Sequence, residues 1–396
     1  MKKLAILGAG TVGGSCAEIL LRDADILARN AGEAIELRYV VDLRELPDAP
    51  FHDKMVKDFS VVEADPEVFL VIEAIGGCGA ALQFVRRALA AGKHVVTSNK
   101  QLVAEYGTEL LALAKEHGVN FLFEASVGGG IPVLHPLSQC LGANAIYEVR
   151  GILNGTTNFI LTQMLEFGQS YEAALADAQA RGYAEQNPTA DVEGIDAGRK
   201  ICILADMMFG RNVDPANVKM TGISSITALD AAFAESAGMK LKLLGRAVQH
   251  DDGICVFVSP HFVPAQQPLA PVSGVLNAIE VLGSSIGNAM FFGPGAGGPA
   301  TASAVLGDVI DIIRNPGRTQ PVDWSAQPAQ LCDPDAFEAP FFVRTSAPRA
   351  ACEQALGEMK WLPDQGAVHG GFTKKISRKV LLAAGIALDA AWPVLA

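Results

Sequence analysis

The chain has 396 residues, of which 50% are hydrophobic and 19% are charged. This length predicts two or three domains, and the apolar content excludes a disordered chain and a small disulfide-rich scaffold. Asp and Glu outnumber Lys and Arg by 43 to 31, which gives a formal net charge of −12. Because an acidic chain repels phosphate groups, we expect neither nucleic acid nor a membrane among its partners.

The first third of the sequence alternates between strands and helices. Apolar runs predict strands at residues 4–7, 36–41, 68–74, 94–97 and 120–124. Helical periodicity predicts helices at 11–29, 80–91 and 102–117. Such alternation is typical of βαβ units with a parallel sheet.

The pattern changes after Pro132. Helices are predicted at 133–141, 157–167, 170–181 and 191–208, and strands near 145–153, 217–224, 254–260 and 277–281. A helix at 300–314 and a linker at 315–339 follow. The last part is expected to form a strand at 341–345, a helix at 347–358, short strands within 359–371, a helix at 375–386 and a strand at 391–395.

The seven cysteines are scattered, without a CxxC pair or zinc-ligand spacing. This pattern favours free thiols and a cytoplasmic protein. The apolar part of the N-terminus is too short for a signal peptide. The charge-poor region between Asp252 and Glu280 contains four prolines, which interrupt it, so we expect buried strands and loops there rather than a membrane span.

A GxGxxG motif follows the first predicted strand and opens the first helix. It consists of Gly8 and Gly10, then Thr11 and Val12, then Gly13. In this context the motif predicts a dinucleotide site, because the glycines permit a tight turn, close approach of a diphosphate and close helix–strand packing. The alternative is a glycine turn that binds nothing.

The second strand ends at Asp42, and Arg44 follows two residues later. An acid at this position accepts the ribose 2′-hydroxyl of NAD, whereas an Arg accommodates the 2′-phosphate of NADP. Both residue types are present, so the choice between NAD and NADP stays open. A solvated pair at the end of a strand is the alternative.

Two further strands end in segments that we expect on the cofactor side of the sheet. One strand leads into Gly76 and Gly77, and the next leads into Ser98 and Lys100. Ligands of open α/β sheets lie beyond the carboxyl ends of the strands. Lys100 is therefore a candidate proton donor or carbonyl-binding residue, with a solvated lysine at a helix start as the alternative.

Two segments of the second domain carry candidate substrate chemistry. Asn154, Gly155 and Thr156 combine small size with hydrogen-bonding groups, although a helix cap explains them equally well. Asp196 and Lys200 lie four residues apart on a helix that continues as an apolar run. A surface ion pair is the alternative. A helix this apolar is largely buried, however, so the lysine needs a buried partner or a cavity, and desolvation lowers the pKa of a lysine toward the range useful for proton transfer.

The run from Ala178 to Lys200 resembles the signature of the homoserine dehydrogenase family. Residues 8–13, 97–100, 124–132, 154–158 and 293–303 also resemble segments of that family, in the same order. The resemblance covers about residues 1–315. It implies an α/β fold with a Rossmann NAD(P)-binding domain at 1–132, completed by about 300–320, and an α+β catalytic and dimerisation domain at 133–299.

The resemblance also implies NAD(P)-dependent interconversion of L-homoserine and L-aspartate 4-semialdehyde, in threonine and methionine biosynthesis, by a homodimer or higher homo-oligomer. Lys100 and Lys200 would flank the reacting oxygen and serve proton transfer. Asp196 would bind the hydroxyl or carbonyl region of the substrate and hold the lysine. Glu185 and Asp191 would meet the substrate ammonium group or its hydrogen-bonding neighbours.

Three further implications concern the cofactor, a cation and the C-terminus. Gly295 would contact the cofactor. The residues whose backbone carbonyls would bind a monovalent cation such as Na⁺ are Glu124, Val127, Gly129 and Ile131.

Residues 340–396 resemble a degenerate ACT-like unit that serves packing or assembly, because the turn at 345–349 lacks the Asp-x-Pro-Gly type sequence. The alternative is an unrelated cap.

Two other functions are alternatives to homoserine dehydrogenase activity. One is a different amino-acid dehydrogenase of the aspartate type, which the run at 182–200 disfavours. The other is a non-catalytic NAD(P)-binding sensor, which has no need of Lys100, Asp196 and Lys200.

Overall fold

The computed structural model describes residues 1–315, 317 and 324–395. In chain order, the strands are β1 (Lys2–Leu7), β2 (Ile35–Val41), β3 (Met55–Val56), β4 (Val68–Glu73), β5 (His94–Thr97), β6 (Phe121–Leu122), β7 (Ile146–Ile152), β8 (Arg211–Asn212), β9 (Lys219–Met220), β10 (Met239–His250), β11 (Gly253–Pro264), β12 (Leu276–Gly283), β13 (Gly287–Pro294), β14 (Ser325–Pro328), β15 (Glu338–Ala339), β16 (Phe341–Thr345), β17 (Met359–Trp361), β18 (His369–Thr373), β19 (Ile376–Ser377) and β20 (Ala390–Pro393). The helices are α1 (Thr11–Arg22), α2 (Ala24–Ala31), α3 (Phe59–Ala64), α4 (Gly79–Ala90), α5 (Lys100–Glu116), α6 (Gly155–Phe167), α7 (Tyr171–Ala180), α8 (Thr189–Val192), α9 (Ile195–Phe209), α10 (Ala228–Ser236), α11 (Gly298–Arg314), α12 (Arg349–Leu356) and α13 (Arg378–Ala383).

The chain divides into two compact units. Unit 1 consists of Met1–Ala143, Ile203–Pro215 and Gly293–Pro328, and unit 2 consists of Asn144–Cys202, Ala216–Phe292 and Ala329–Ala396. Parts of the predicted domain completion and linker, at residues 316 and 318–323, lie outside the described residues, as does residue 396 of the predicted C-terminal unit. None of the described helices is both long and apolar enough to cross a bilayer.

Unit 1 contains a parallel sheet with the strand order β3-β2-β1-β4-β5-β6. Its central strands β1 and β4 are almost continuously apolar and buried, as expected when helices cover both faces of a sheet. This order is that of doubly wound dinucleotide-binding folds, with the ligand beyond the carboxyl ends of the strands. The predicted Rossmann-type α/β fold is confirmed.

Helix α11 belongs to the hydrophobic core of unit 1, although it lies some 300 residues from the first strand in sequence. Its residues Val305 and Val309 are fully buried in one cluster with Leu4 and Ile6 of β1. Burying side chains of this size stabilises the fold by roughly 1.5–3 kcal/mol each relative to leaving them exposed. The chain therefore returns to the first unit after building most of the second.

Unit 2 contains a six-stranded sheet with the order β13-β12-β7-β10-β11-β9. Its longest feature is the β10–β11 hairpin, which pairs Met239 with Pro264 at one end and His250 with Gly253 at the other. Helix α9 approaches this sheet closely, because a Cβ atom on Gly245 would lie 3.1 Å from the Cβ of Ile201. The glycine in β10 thus lets α9, which carries the candidate lysine, lie against the sheet.

The end of the chain forms a small antiparallel sheet with the order β17-β18-β16-β20. The four strands of this sheet and the helices α12 and α13 follow one another as strand, helix, strand, strand, helix, strand, which is the order predicted for an ACT-like unit; the short strand β19, between β18 and α13, pairs with β15 instead. A buried ion pair between Arg344 of β16 and Asp230 of α10, with Nε–Oδ1 at 2.9 Å, ties this sheet to the rest of unit 2.

Several element predictions are wrong in position. The helix predicted at 11–29 ends at Arg22, because Asp23 adopts a non-helical conformation, and α2 then starts at Ala24. The helix predicted at 133–141 is reduced to a π-helical turn at Pro136–Cys140. Pro136 has no backbone N–H, so it supports no regular helical hydrogen bond at that point.

Other elements of unit 2 differ from the predictions in length or were not predicted. The strand expected at 217–224 shrinks to Lys219–Met220, and the strand expected to end at Pro260 continues to Pro264. Pro260 is tolerated since the pairing of β11 with β9 involves only Phe257 and Val258. The unpredicted elements of unit 2 are α10, β10 and β13, together with the two-residue strands β15, in the predicted linker, and β19, inside the predicted helix at 375–386.

Candidate active site

The glycine motif of unit 1 forms the turn between β1 and α1. Gly8 has φ of +93°, and a Cβ atom there would lie 2.8 Å from the carbonyl oxygen of Ala74. A Cβ atom on Gly13 would lie 1.9 Å from the carbonyl oxygen of Gly8. At Gly10, by contrast, a Cβ atom would meet nothing within 4 Å. Packing thus explains two of the glycines, while the middle one faces open space.

The N-terminus of α1 faces an open cleft of about 470 Å³. Gly10 is the N-cap residue and provides no side chain, so no capping side chain uses the amides of the first turn. Thr11 is exposed and lines the cleft, and Val12 is half-buried beside it. Amides and the positive end of a helix dipole together suit a diphosphate group.

Asp42 and Arg44 form a hydrogen-bonded pair at the end of β2. The carboxylate of Asp42 accepts from Ala9 N at 2.7 Å and Arg44 N at 2.9 Å. It also accepts from Arg44 Nε at 3.0 Å and Nη2 at 2.8 Å. The Arg44 guanidinium is the main reason that the pKa of Asp42 lies well below its usual range. Asp42 therefore stays ionised, and Arg44 is held directly beside it.

The carboxyl ends of β4 and β5 carry the other predicted cofactor residues. Gly76 and Gly77 are exposed and both have positive φ, at +83° and +65°. Ser98 is half-buried, and Lys100 is the first residue of α5, also half-buried. All four residues lie at the edge of the sheet at which ligands of this fold class bind.

A buried carboxyl that the sequence analysis did not single out joins these two strand ends. Glu73, the last residue of β4, has no exposed surface. Burial raises the pKa of Glu73, and hydrogen bonds from Thr97 and from the amides of Ile75 and Gly76 oppose that rise. An acid at the end of an apolar strand, directly before a Gly-Gly step, is the sequence signal that points to this residue.

The predicted cation loop lies in unit 1. Glu124, Val127, Gly129 and Ile131 are buried. Gly129 lies against Gly295, since a Cβ atom on Gly129 would be 2.4 Å from the carbonyl oxygen of Gly295. The loop at 127–131 and the segment at 293–296 are thus in backbone contact.

The side chain of Glu124 has a structural task. Its carboxylate accepts from the amides of Val133, Leu134 and His135 at 2.6, 2.9 and 2.6 Å, and its own amide donates to Asp308 Oδ2 at 2.9 Å. The carboxylate is thus engaged by backbone amides, which leaves the carbonyl as the candidate ligand. In the described part of the chain, no group of three or more His, Cys, Asp or Glu is arranged to hold a metal ion.

In unit 2, the side chain of Asn154 joins two other predicted site residues, Asp191 and Asp196. Asn154 caps α6 by accepting from Thr157 N at 2.8 Å. Its amide nitrogen donates to Asp191 Oδ1 at 2.7 Å and to Asp196 Oδ2 at 3.0 Å. The helix cap and the candidate site are therefore the same residue, so the two interpretations of Asn154 are compatible.

Lys200 and Asp196 form a buried ion pair on α9. The distance from Nζ to Oδ2 is 2.8 Å, and the exposed fractions of the two side chains are 10% and 6%. Nζ also donates to the carbonyl oxygen of Leu153 at 2.8 Å. The ammonium group is thus fixed between α9 and the residue that precedes Asn154, as a buried lysine requires.

The remaining substrate candidates lie at or beside the start of α6. Thr156 donates through Oγ1 to the carbonyl oxygen of Tyr183 at 2.6 Å, and Gly155 is the first residue of the helix. Gln179 binds the carbonyl oxygen of Glu185 at 3.1 Å, while the side chain of Glu185 is exposed. The structure therefore brings the Tyr183 backbone to α6 but places the Glu185 carboxylate at the surface of unit 2.

Comparisons with known proteins show the family of this chain. Two family models match: "Homoserine dehydrogenase, NAD binding domain" over residues 8–124 and "Homoserine dehydrogenase" over residues 132–310. A homoserine dehydrogenase of Pseudomonas aeruginosa is 40% identical over 355 residues, which cover 87% of this chain and 82% of the relative. This chain belongs to the homoserine dehydrogenase family. A second relative, from Bacillus subtilis, is 43% identical over 79% of this chain and 73% of its own length.

Solved structures of homoserine dehydrogenases have the same fold. One from Thiobacillus denitrificans matches with a TM-score of 0.92 and 33% identity, over 100% of this chain and 98% of the other. A hyperthermophilic archaeal homoserine dehydrogenase in complex with NADPH matches with a TM-score of 0.67 and 27% identity, over 78% of this chain and 97% of the other. The predicted family, its NAD(P)-dependent oxidoreductase class and the fold are confirmed.

Proposed function

We propose that this chain interconverts L-homoserine and L-aspartate 4-semialdehyde with NAD(P), and that Lys200 and Lys100 carry the proton transfer. The buried Lys200–Asp196 pair of α9, hydrogen-bonded to Leu153 and Asn154 just before α6, is the observation that supports this most directly. Reduction of the aldehyde leaves negative charge on its oxygen, and a fixed ammonium group stabilises that charge as it develops. Lys200 then donates the proton, and in the opposite direction it removes the hydroxyl proton.

Each neighbour of Lys200 has a distinct part in this proposal. Asp196 and the carbonyl of Leu153 hold Nζ by two hydrogen bonds of 2.8 Å. Asn154 fixes Asp196 in turn, by its bond of 3.0 Å to the same carboxylate oxygen. A donor held in this way needs little reorganisation when charge appears on the substrate.

The substrate is an amino acid, so it carries an ammonium and a carboxylate. We assign the ammonium group to the carboxylates of Asp191 and Glu185, which are opposite in charge to it. We assign the carboxylate to the start of α6, at Gly155 and Thr156, because a helix N-terminus favours an anion.

The cofactor site fits a dinucleotide, because the open side of Gly10 and the uncapped start of α1 leave room and donors for a diphosphate. The bound nicotinamide supplies or accepts the hydride. We assign the diphosphate to the motif that contains Gly10 and the nicotinamide end to the segments that contain Gly76, Gly77, Ser98, Lys100 and Gly295.

Asp42 and Arg44 set the preference between the two cofactors. For NAD, the ribose hydroxyl competes with Arg44 for the Asp42 carboxylate. For NADP, Arg44 turns to the 2′-phosphate, and the ionised Asp42 nearby opposes that phosphate. We therefore propose that the chain accepts both cofactors and that this pair tunes the ratio.

We further propose a monovalent cation at the carbonyls of Glu124, Val127, Gly129 and Ile131, since oxygen ligands suit a hard cation such as Na⁺. Activity measured in Na⁺ and then in a bulky organic cation at equal ionic strength tests this assignment.

We propose that the chain forms a homodimer or larger homo-oligomer through unit 2. Edge strand β13 exposes Met290 by 41% and Phe292 by 53%, and exposed apolar edge strands favour association. None of the chain's seven cysteines, all of which the structure describes, forms a disulfide bond, which supports the cytoplasm. Its reaction supports a place in threonine and methionine biosynthesis.

The test of the function is turnover of purified protein, followed by reduced-nicotinamide absorbance, with L-homoserine and with L-aspartate at equal concentration. We expect reduction of NAD or NADP with L-homoserine alone. Turnover with L-aspartate alone would favour the other dehydrogenase, and dinucleotide binding without turnover of either substrate would favour the sensor.

A further inference from the structure

A buried chain of hydrogen bonds links the carboxyl ends of β4 and β5 in unit 1. It runs from Glu73 through Thr97 to Asn99, and we call these three residues the strand-end relay. Glu73 and Thr97 have no exposed surface, and Asn99 is 7% exposed. None of the three is among the residues assigned above to the substrate, the cofactor or the cation.

The relay connects two loops. Thr97 Oγ1 donates to Glu73 Oε2 at 2.5 Å and accepts from Asn99 N at 2.9 Å. Asn99 Nδ2 then donates to the carbonyl oxygen of Gly77 at 2.6 Å, and its Oδ1 accepts from Leu102 N at 3.1 Å. Asn99 is therefore both the N-cap of α5 and the contact between α5 and the Gly-Gly segment.

The other oxygen of Glu73 holds the first loop directly. Oε1 accepts from Ile75 N at 2.8 Å and from Gly76 N at 3.3 Å. Because Gly76 and Gly77 have positive φ and no side chains, their backbone is intrinsically free to move. One carboxyl thus restrains a segment that would otherwise be flexible.

We propose that Glu73 is a positioning residue for hydride transfer, acting through Thr97 and Asn99 to fix the Gly76–Gly77 segment and the start of α5, where Lys100 lies. The proposal rests on the proposed function, which assigns both segments to the nicotinamide side of the site. Its physical basis is that reacting groups must be held within a fraction of an ångström, and that a misplacement of about 1 Å lowers rates by about a hundredfold.

A purely structural role for Glu73 is the alternative, but the chemistry of the position argues against it. A buried carboxyl loses its hydration, and an apolar residue of similar size stabilises a core at least as well. Here the carboxyl instead accepts hydrogen bonds from the Thr97 hydroxyl and from the amides of Ile75 and Gly76 in the following loop. Such a network defines a unique backbone position more than it adds stability.

The test compares Thr97→Val, which removes the hydroxyl but keeps the shape, with Thr97→Ser, which keeps the hydroxyl. Thr345→Val is the matched control, because Thr345 of β16 is equally buried and its hydroxyl likewise makes two hydrogen bonds, donating to Ala387 O and accepting from Ala347 N. Each protein is assayed for kcat and KM with L-homoserine, for dinucleotide Kd by fluorescence, and for Tm.

We expect Thr97→Val to lower kcat by about tenfold to a hundredfold and to weaken dinucleotide binding. Thr97→Ser should stay within about twofold of the wild type, and Thr345→Val should lower Tm without changing kcat. Thr97→Val with a lowered Tm but wild-type kcat and Kd would overturn the proposal and leave the relay a structural feature.

Glu73→Gln provides an independent second variant, which also serves if Thr97→Val does not fold. Gln keeps an oxygen for the amides of Ile75 and Gly76, but its NH₂ group cannot accept from Thr97. We expect the same loss of kcat, and no further loss when Glu73→Gln and Thr97→Val are combined, because both break one relay. Additive losses would overturn the proposal.

A wild-type protein that binds dinucleotide but does not oxidise homoserine would instead refute the proposed function. The effect of the variants on the dinucleotide Kd would still show whether the relay positions the cofactor segments.

Discussion

Replacement of Lys200 by Met should abolish most turnover and leave dinucleotide binding intact. Met has a similar length but carries neither charge nor proton. Acid–base catalysis by a positioned side chain contributes about 10²–10⁴-fold to a rate, so we expect Lys200→Met to lower kcat by a factor in that range. Dinucleotide Kd should change by less than about twofold, because Lys200 lies outside the glycine motif.

The same substitution should also destabilise the protein. It leaves Asp196, whose side chain is 6% exposed, without the ammonium group 2.8 Å away. Breaking a buried ion pair on one side costs about 3–5 kcal/mol in free energy of unfolding. Loss of activity and loss of stability therefore need to be separated.

The double variant Asp196→Asn with Lys200→Met separates the two effects. It removes the uncompensated charge, so we expect it to recover a large part of the free energy of unfolding, measured by urea denaturation, and none of the turnover. Recovery of kcat together with stability, or a single Lys200→Met variant with near-normal kcat, would refute the role of Lys200 in proton transfer.

Three further predictions concern other parts of the molecule. Arg44→Ala should raise Kd for NADP more than Kd for NAD, measured by fluorescence titration, because it removes the partner of the 2′-phosphate and releases the Asp42 carboxylate; equal losses would mean that Arg44 does not contact that phosphate. Glu185→Ala should raise KM for L-homoserine and leave kcat within about twofold; an unchanged KM would remove Glu185 from the substrate site. Burial lowers the pKa of Lys242 from 10.5 to about 8, so between those pH values the unfolded chain binds more protons than the folded chain and stability rises with pH. Relative to a Lys242→Met variant, the wild type should therefore gain up to about 3 kcal/mol in free energy of unfolding across that window; a constant difference in urea denaturation would contradict this.

The sequence predicts the dinucleotide half of the molecule well, for a physical reason. A parallel sheet buried on both faces requires long apolar runs, and the turn after β1 requires glycine at positions 8 and 13 for lack of space. Both features are local in sequence, so they can be seen without the structure. The strand–helix order of the C-terminal unit was predictable on the same grounds.

Helix α10 and strand β10 were not predicted, because their sequence patterns differ from apolar periodicity. Helix α10 begins with a capping box formed by Thr227 and Asp230, a short pattern that the apolar periodicity does not show. Strand β10 contains Lys242 and Arg246, two residue types that usually lie at the surface. Both are buried here, against Asn158 and Glu148, which are distant in sequence. Burial of a charge depends on its tertiary partner, so it cannot be predicted from one segment.

The candidate site shows the same limit. Asn154 and Asp196 are singled out by their motifs, but the hydrogen bond between them joins two segments 42 residues apart. Glu73 was not singled out, because a single acid at the end of a strand resembles a solvated strand end. Its role becomes visible only when Thr97 of the neighbouring strand is placed beside it.

The most direct test of the central claim follows the hydride itself. Reduced nicotinamide cofactor carrying deuterium at the transferred position is incubated with the protein and L-aspartate 4-semialdehyde, and the product is analysed by mass spectrometry. The account predicts L-homoserine with a single deuterium on the carbon that bears the hydroxyl group. Unlabelled product, or no consumption of either cofactor by protein that binds the dinucleotide, would contradict it.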